Sequence, residues 1–163
     1  MTHDTDTAST LKVVSSFMLA MILRILPLPS DIALLNPDWV ALILLFWILQ
    51  VPERCGVLRA WAIGLIVDAL TGRLLGQHAL AYGVMAYLGL QGKASLTVLR
   101  HPAQALWILI LLLIGQLLVL WTTQQQMPDA LGVAYWYPSM TGAILWPAVS
   151  FILSRRHAGG GVP

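Results

Sequence analysis

Apolar residues along this chain come in long blocks, not in the two-residue alternation of a half-buried strand, and short polar stretches separate the blocks. A helix that crosses a bilayer needs ~20 mostly apolar residues. On that scale the pattern predicts six spans, at about residues 12–28, 38–51, 57–70, 74–90, 102–121 and 135–153. Pro27 and Pro29 close the first. At the start of the second, Asn36 is suited to cap the helix, Pro37 to its first position and Asp38 to the positive end of its dipole. The fifth contains WILILLLIGQLLVLW, without a charge, and Pro147 predicts a kink in the sixth. Spans two and three are short for a full crossing, so their flanks extend them or the bilayer thins locally. Trp39, Trp107, Trp121, Tyr135, Trp136 and Tyr137 fall near span ends, where aromatic rings prefer the headgroup layer.

Composition turns this pattern into a fold class. The chain is 58% hydrophobic and 10% charged, against ~25% charged in a soluble domain, too few charges to cover a globular surface in water. The expected fold is an all-α integral membrane protein of about six transmembrane helices: a cytoplasmic N-terminal tail at residues 1–11, a membrane domain at 12–154 and a cytoplasmic C-terminal tail at 155–163. MTHDTDTAST lacks the basic start and small-residue cleavage site of a signal peptide, so the first helix is expected to be retained, and HAGGGVP reads as disordered.

Charge placement sets an orientation. With six spans and a cytoplasmic N-terminus, Lys12, Arg54, Arg59, Lys93, Arg100, Arg155 and Arg156 lie inside, while the outer loops carry Arg73 with Asp31, Asp38 and Asp129. That satisfies the positive-inside rule, and the reversed topology inverts it. A five-span count puts Arg155 and Arg156 on the wrong side or merges two loops.

Candidate chemistry is sparse. The single cysteine, Cys55, excludes an intrachain disulfide, and the scattered histidines His3, His78, His101 and His157 offer no metal-ligand spacing. No nucleophile elbow, zinc-protease, phosphate-loop or dinucleotide motif is present. Ser15 and Ser16 read as backbone-bonded instead of nucleophilic. No basic, aromatic-studded surface suggests nucleic acid. The expectation is a protein that is not an enzyme and has no cofactor or metal.

Charges inside an apolar span cost about 2.5–3.5 kcal/mol, so they pair or face the bundle interior. Arg24 and Asp68 are of this kind, both near the outer ends of their spans. Arg73 follows in the next turn, and Gln77 and His78 open span four. These five residues form the expected outer polar cluster, either a structural ion pair that fixes helix register or a contact point for a ligand or partner. Ala60, Gly64, Asp68 and Gly72 recur every four residues on span three, and Gly76, Ala79, Gly83 and Ala86 do so at spacings of three and four on span four. Such stripes let helix backbones approach in lipid, where packing drives association. They predict a tight antiparallel hairpin.

Residues 36–88 together resemble the bacterial rod-shape-determining MreD family. The resemblance rests on Pro37, Asp38 and Trp39 opening a helix, Trp47 near its end, a loop with Pro52 and Arg54, and a helix with Gly64, Leu65 and Asp68. It continues through GRLLGQHAL, which holds Gly72, Arg73, Gly76, Gln77 and His78, and ends on Leu145, Trp146 and Pro147 before the basic Arg155 and Arg156. The resemblance implies a non-enzymatic inner-membrane component of the machinery that elongates the lateral cell wall of rod-shaped bacteria. Partners implied are the membrane-anchored MreC, the MreB filament, RodA and its penicillin-binding transpeptidase; apart from the resemblance, the lipid bilayer and a second copy of the chain are candidate partners. The resemblance also implies a fold similar to the S component of energy-coupling-factor transporters. That likeness motivates an alternative function, a solute-binding transporter subunit whose pocket is lined by Trp61, Asp68, Gln77 and His78.

Overall fold

A computed structural model describes residues 3–98, 101–122 and 132–158. All regular structure among them is helical. The elements are α1 (His3–Ile25), α2 (Ser30–Ala33), α3 (Trp39–Gln50), α4 (Val57–Thr71), α5 (Gln77–Val98), α6 (His101–Thr122), a 3-10 turn (Val133–Trp136) and α7 (Tyr137–Ala158). Six of the seven α-helices fall on the six expected spans. The seventh, α2, is a single turn in the 25–38 connection that the hydropathy pattern did not signal.

The centre of the molecule is α3. Its ten residues from Val40 to Leu49 are all buried, because α1, α5 and α7 pack around it. At ~1.5 Å per residue its twelve residues are about 18 Å long, short for a bilayer. It is apolar on every side, as a helix surrounded by other helices is. By length and composition, Ala103–Thr122 is the one segment among the described residues that qualifies alone as a membrane span, with Trp39–Gln50 a shorter apolar helix. The other helices carry the polar and basic residues that the bundle uses internally or at its ends, and these lower their hydropathy.

The exterior is apolar too. Leu11, Met18 and Ile22 of α1, Leu58 and Leu70 of α4, Leu106 and Trp121 of α6, and Ile144 and Phe151 of α7 are half or more exposed. A belt of this size in water is an association liability; in lipid it costs nothing.

The helix ends correct two local expectations. The cap of α3 is Asp38, whose carboxylate accepts from the Ala41 amide at 3.1 Å. Asn36 does not cap it: its Oδ1 accepts from Trp39 Nε1 at 2.8 Å. Pro37 lies before the cap, buried, not at the first helical position. Ser15 and Ser16 do bond to the backbone, donating to the carbonyls of Lys12 and Val13. Pro147 sits inside α7 without interrupting it. The outer-loop sequence QQQMPDAL and the orientation markers Arg100 and Asp129 lie outside the described residues, as does the fine placement of the Arg155 and Arg156 side chains.

The α4–α5 hairpin positions the site. Gly64 faces α5 so closely that a Cβ on it would meet the Ala79 Cα at 2.4 Å and the His78 carbonyl carbon at 2.6 Å. Ala60 and Asp68, one turn to either side of Gly64, are fully buried with it, as are Ala79 and Ala86 opposite. The turn between the helices requires left-handed backbone at Gly72 (φ +64°) and a positive φ of +109° at Gly76, conformations that a side chain strains. Gly72 ends α4, and the Arg73 amide bonds back to the Asp68 carbonyl at 3.1 Å, a glycine C-cap.

Candidate functional site

At the end of the bundle where α1, α4 and α6 finish and α3, α5 and α7 begin, two carboxylates each cap a helix and are joined by a cation and an imidazole. Asp68 reaches across the hairpin turn to the start of α5. Its oxygens accept from the Gly76 amide at 2.9 Å, the His78 amide at 3.0 Å and the Ala79 amide at 3.4 Å. The first amides of a helix have no partner within it, so Asp68 supplies them from the neighbouring helix while its charge opposes the positive end of the dipole. It is fully buried.

His78 links this cap to the rest. Its Nδ1 lies 2.7 Å from Asp68 Oδ1, and its Nε2 lies 2.7 Å from Arg24 Nη2. A guanidinium can only donate, so Nε2 is the acceptor, Nδ1 carries the proton and donates to Asp68, and the ring is neutral in this geometry. Arg24 also pairs with Asp38, Nη1 to Oδ1 at 3.1 Å. Asp38 caps α3 and accepts from the Tyr82 hydroxyl at 2.8 Å. Tyr82 is one turn beyond His78 on α5, and the two rings meet edge to face at 5.7 Å.

The charges close on themselves. Two carboxylates face one guanidinium and two helix N-termini, each worth about half a positive charge. The sum is near zero, the condition under which buried ions are tolerated. Every carboxylate oxygen and both terminal guanidinium nitrogens of the network are engaged; among the described residues only Arg24 Nε is buried without a partner.

This network forms one wall of an open cavity of about 540 Å³. Arg24, Asp38, His78 and Tyr82 line one side; Gln116 of α6 with Tyr135 and Ser139 line the other. Gln116 ties that far wall, donating to the Tyr135 carbonyl and accepting from the Ser139 hydroxyl. Arg73 stands exposed at the rim.

The structure thus joins Arg24, Asp68 and His78, as the sequence suggested, and adds Asp38 and Tyr82. Arg73 belongs to the rim and not to the hydrogen-bonded network, and Gln77 is buried beside it at the start of α5. Of the four side chains expected to line a solute pocket, His78 does so; Asp68 and Gln77 are not among the cavity's walls, and Trp61 is exposed on the outer face of α4. The remaining motif residues act elsewhere. Trp47 donates to Ser16 Oγ at 2.8 Å, clamping α3 to α1. Pro52 accepts the Cys55 amide in the next turn, and Arg54 donates to Thr10 at 3.1 Å, tying the α3–α4 loop to α1. Trp146 is buried, with Nε1 3.5 Å from Gln104 Oε1, and Pro147 is exposed beside it.

A helical bundle with an apolar exterior, an apolar central helix and an internally neutralised charge network is built as a membrane structural protein. The family model for the rod shape-determining protein MreD matches residues 6–156, so the chain belongs to that family. A curated relative, the rod shape-determining protein MreD of Haemophilus influenzae, is 29% identical over 149 residues, covering 88% of each chain. No solved structure matches the chain significantly.

Proposed function

We propose that the chain is a six-span scaffold of the bacterial inner membrane, with both termini cytoplasmic, in the complex that elongates the lateral cell wall. It acts without catalysis, by binding MreC and linking it to the MreB filament, RodA and its penicillin-binding transpeptidase. The observation that carries this reading is the family match over the whole bundle. The charge distribution agrees with it. Lys12, Arg54, Arg59 and Lys93 sit toward the end opposite the cavity, so the positive-inside rule turns the cavity outward. The Arg24–Asp38–His78–Asp68 network spends its charges on its own helices, which suits a keystone more than a reaction centre.

A second reading has one observation in its favour. The cavity's volume falls within the range of ~300–1,000 Å³ typical of small-molecule sites, as a solute-binding subunit of an energy-coupling-factor-type transporter needs. Shape complementation separates the two. In a rod-shaped bacterium depleted of its own MreD, this chain restores rods if it is the scaffold. Cells that stay round despite membrane-inserted chain would overturn the proposal.

A further inference from the structure

On the opposite side of α3 from α5, a narrower groove of about 250 Å³ runs between α1, α3 and α7. Its floor and walls are Leu19, Ala20 and Leu23 of α1, Ile43 of α3, and Val149 and Ile152 of α7. At its mouth stands Lys12, with Ser15 and Ser16 beside it. Both serine hydroxyls donate to backbone carbonyls of their own helix, which leaves the Lys12 ammonium as the charged donor there. Among the described residues no carboxylate pairs with it.

Lys12 and Leu23 are eleven residues apart on one helix, about 16 Å at ~1.5 Å per residue. The groove therefore begins at a cation and continues along apolar side chains to Leu23 and Trp39. We propose that it holds one acyl chain of an anionic phospholipid, with the phosphate on Lys12 and the tail along Leu19 and Leu23. A partner helix would explain the apolar trough but not a lone cation at one end of it. The inference rests on the membrane reading above.

The test uses the full chain, stripped of lipid in detergent and offered phosphatidylglycerol and phosphatidylethanolamine of identical chains in equal amounts, with bound lipid read by native mass spectrometry. The wild-type chain retains one phosphatidylglycerol, preferred by about fivefold, the factor that one lysine contributes at an anionic membrane surface. Lys12→Gln brings the preference to parity. Leu19→Trp, at a half-exposed position, fills the trough and lowers retention of both lipids. Arg59→Gln, a basic site outside the groove, changes nothing. An intact preference in Lys12→Gln, or undiminished retention in Leu19→Trp, overturns the proposal. So does a lipid-free wild-type dimer that Leu19→Trp converts to monomer, which makes the groove an interface between copies. Alkaline carbonate extraction, run beforehand, tests the membrane reading separately, because a chain released into the supernatant fails that reading whatever its lipid ratio.

Discussion

Gly64 and Ala79 touch through their backbones: a Cβ added to Gly64 would lie 2.4 Å from the Ala79 Cα, closer than side chains come in real structures. The obstacle is main chain, which cannot rotate aside. Gly64→Ala is expected to cost ~1–3 kcal/mol of overpacking, more than the ~1 kcal/mol of helix propensity it gains. Gly64→Leu should prevent recovery of a monodisperse chain. Thermal unfolding in detergent checks both, and an unchanged midpoint for Gly64→Leu would deny that this crossing holds the hairpin.

Asp68 accepts three backbone amides and the His78 ring. An asparagine offers a single acceptor oxygen and turns an amide NH₂ toward donors. Asp68→Asn is expected to destabilise the bundle by ~3 kcal/mol, the order found when one member of a buried charged network is removed. Asp68→Ala should do no better. If Asp68→Ala unfolds at the wild-type temperature, the network is not a keystone.

Arg24 and Asp38 should be coupled. Arg24→Met leaves Asp38 with Tyr82 and the Ala41 amide alone, and His78 Nε2 without its donor. Asp38→Asn keeps a capping oxygen but leaves the guanidinium unneutralised. A double-mutant cycle of Arg24→Met with Asp38→Asn, read by unfolding midpoints, should give a coupling of ~1–3 kcal/mol. Additive effects would mean that solvent at this partly exposed pair screens the contact.

Cys55 lies buried in the α3–α4 loop, and burial lifts its thiol to about 11 against a weaker opposing pull from Arg59. The reactive form is the thiolate, so at pH 7.5 the folded chain should resist maleimide while the denatured chain labels at once. The linkage runs the same way. An acid whose folded pKa is raised leaves stability unchanged below its unfolded value and removes it as pH climbs from about 9 toward about 11. Fast labelling of folded protein would place this loop in the open.

Arg73 is exposed at the cavity rim and bonds to the hairpin through its backbone amide. Arg73→Glu is therefore expected to leave the unfolding midpoint within ~0.5 kcal/mol of wild type while lowering recovery of MreC. Full recovery would remove the rim from the binding surface.

Much of this arrangement was legible in the sequence, because a charge in a long apolar run is costly enough to mark itself. Arg24 and Asp68 were found that way, His78 came from its place at the start of a span, and the small-residue stripes gave the hairpin. The sequence marks Asp38 as a favourable charge at a helix start, an outer-loop acid and part of the Pro-Asp-Trp motif, but not as the partner of Arg24; a carboxylate can cap a helix and bind a distant guanidinium at once. Tyr82 lies among the alanines and glycines of α5, and the signal that could have found it is its place four residues after His78 on the same face. The cap that Asp68 gives to α5 from another helix depends on the fold of the turn at Gly72 and Gly76, and hydropathy does not report a turn's φ angles. Nor does it report which apolar helix lies at the centre. The composition of α3 suits a buried helix and a lipid-facing one equally, and its neighbours decide.

A bundle that works by holding partners of wall elongation together should leave the membrane with them. The measurement is gentle detergent extraction of the tagged chain from its native membrane, followed by mass spectrometry of what co-purifies. MreC is expected to come down together with RodA and a penicillin-binding transpeptidase. Recovery of a paired ATPase and a coupling membrane subunit in their place would overturn the scaffold reading and make the cavity a solute site.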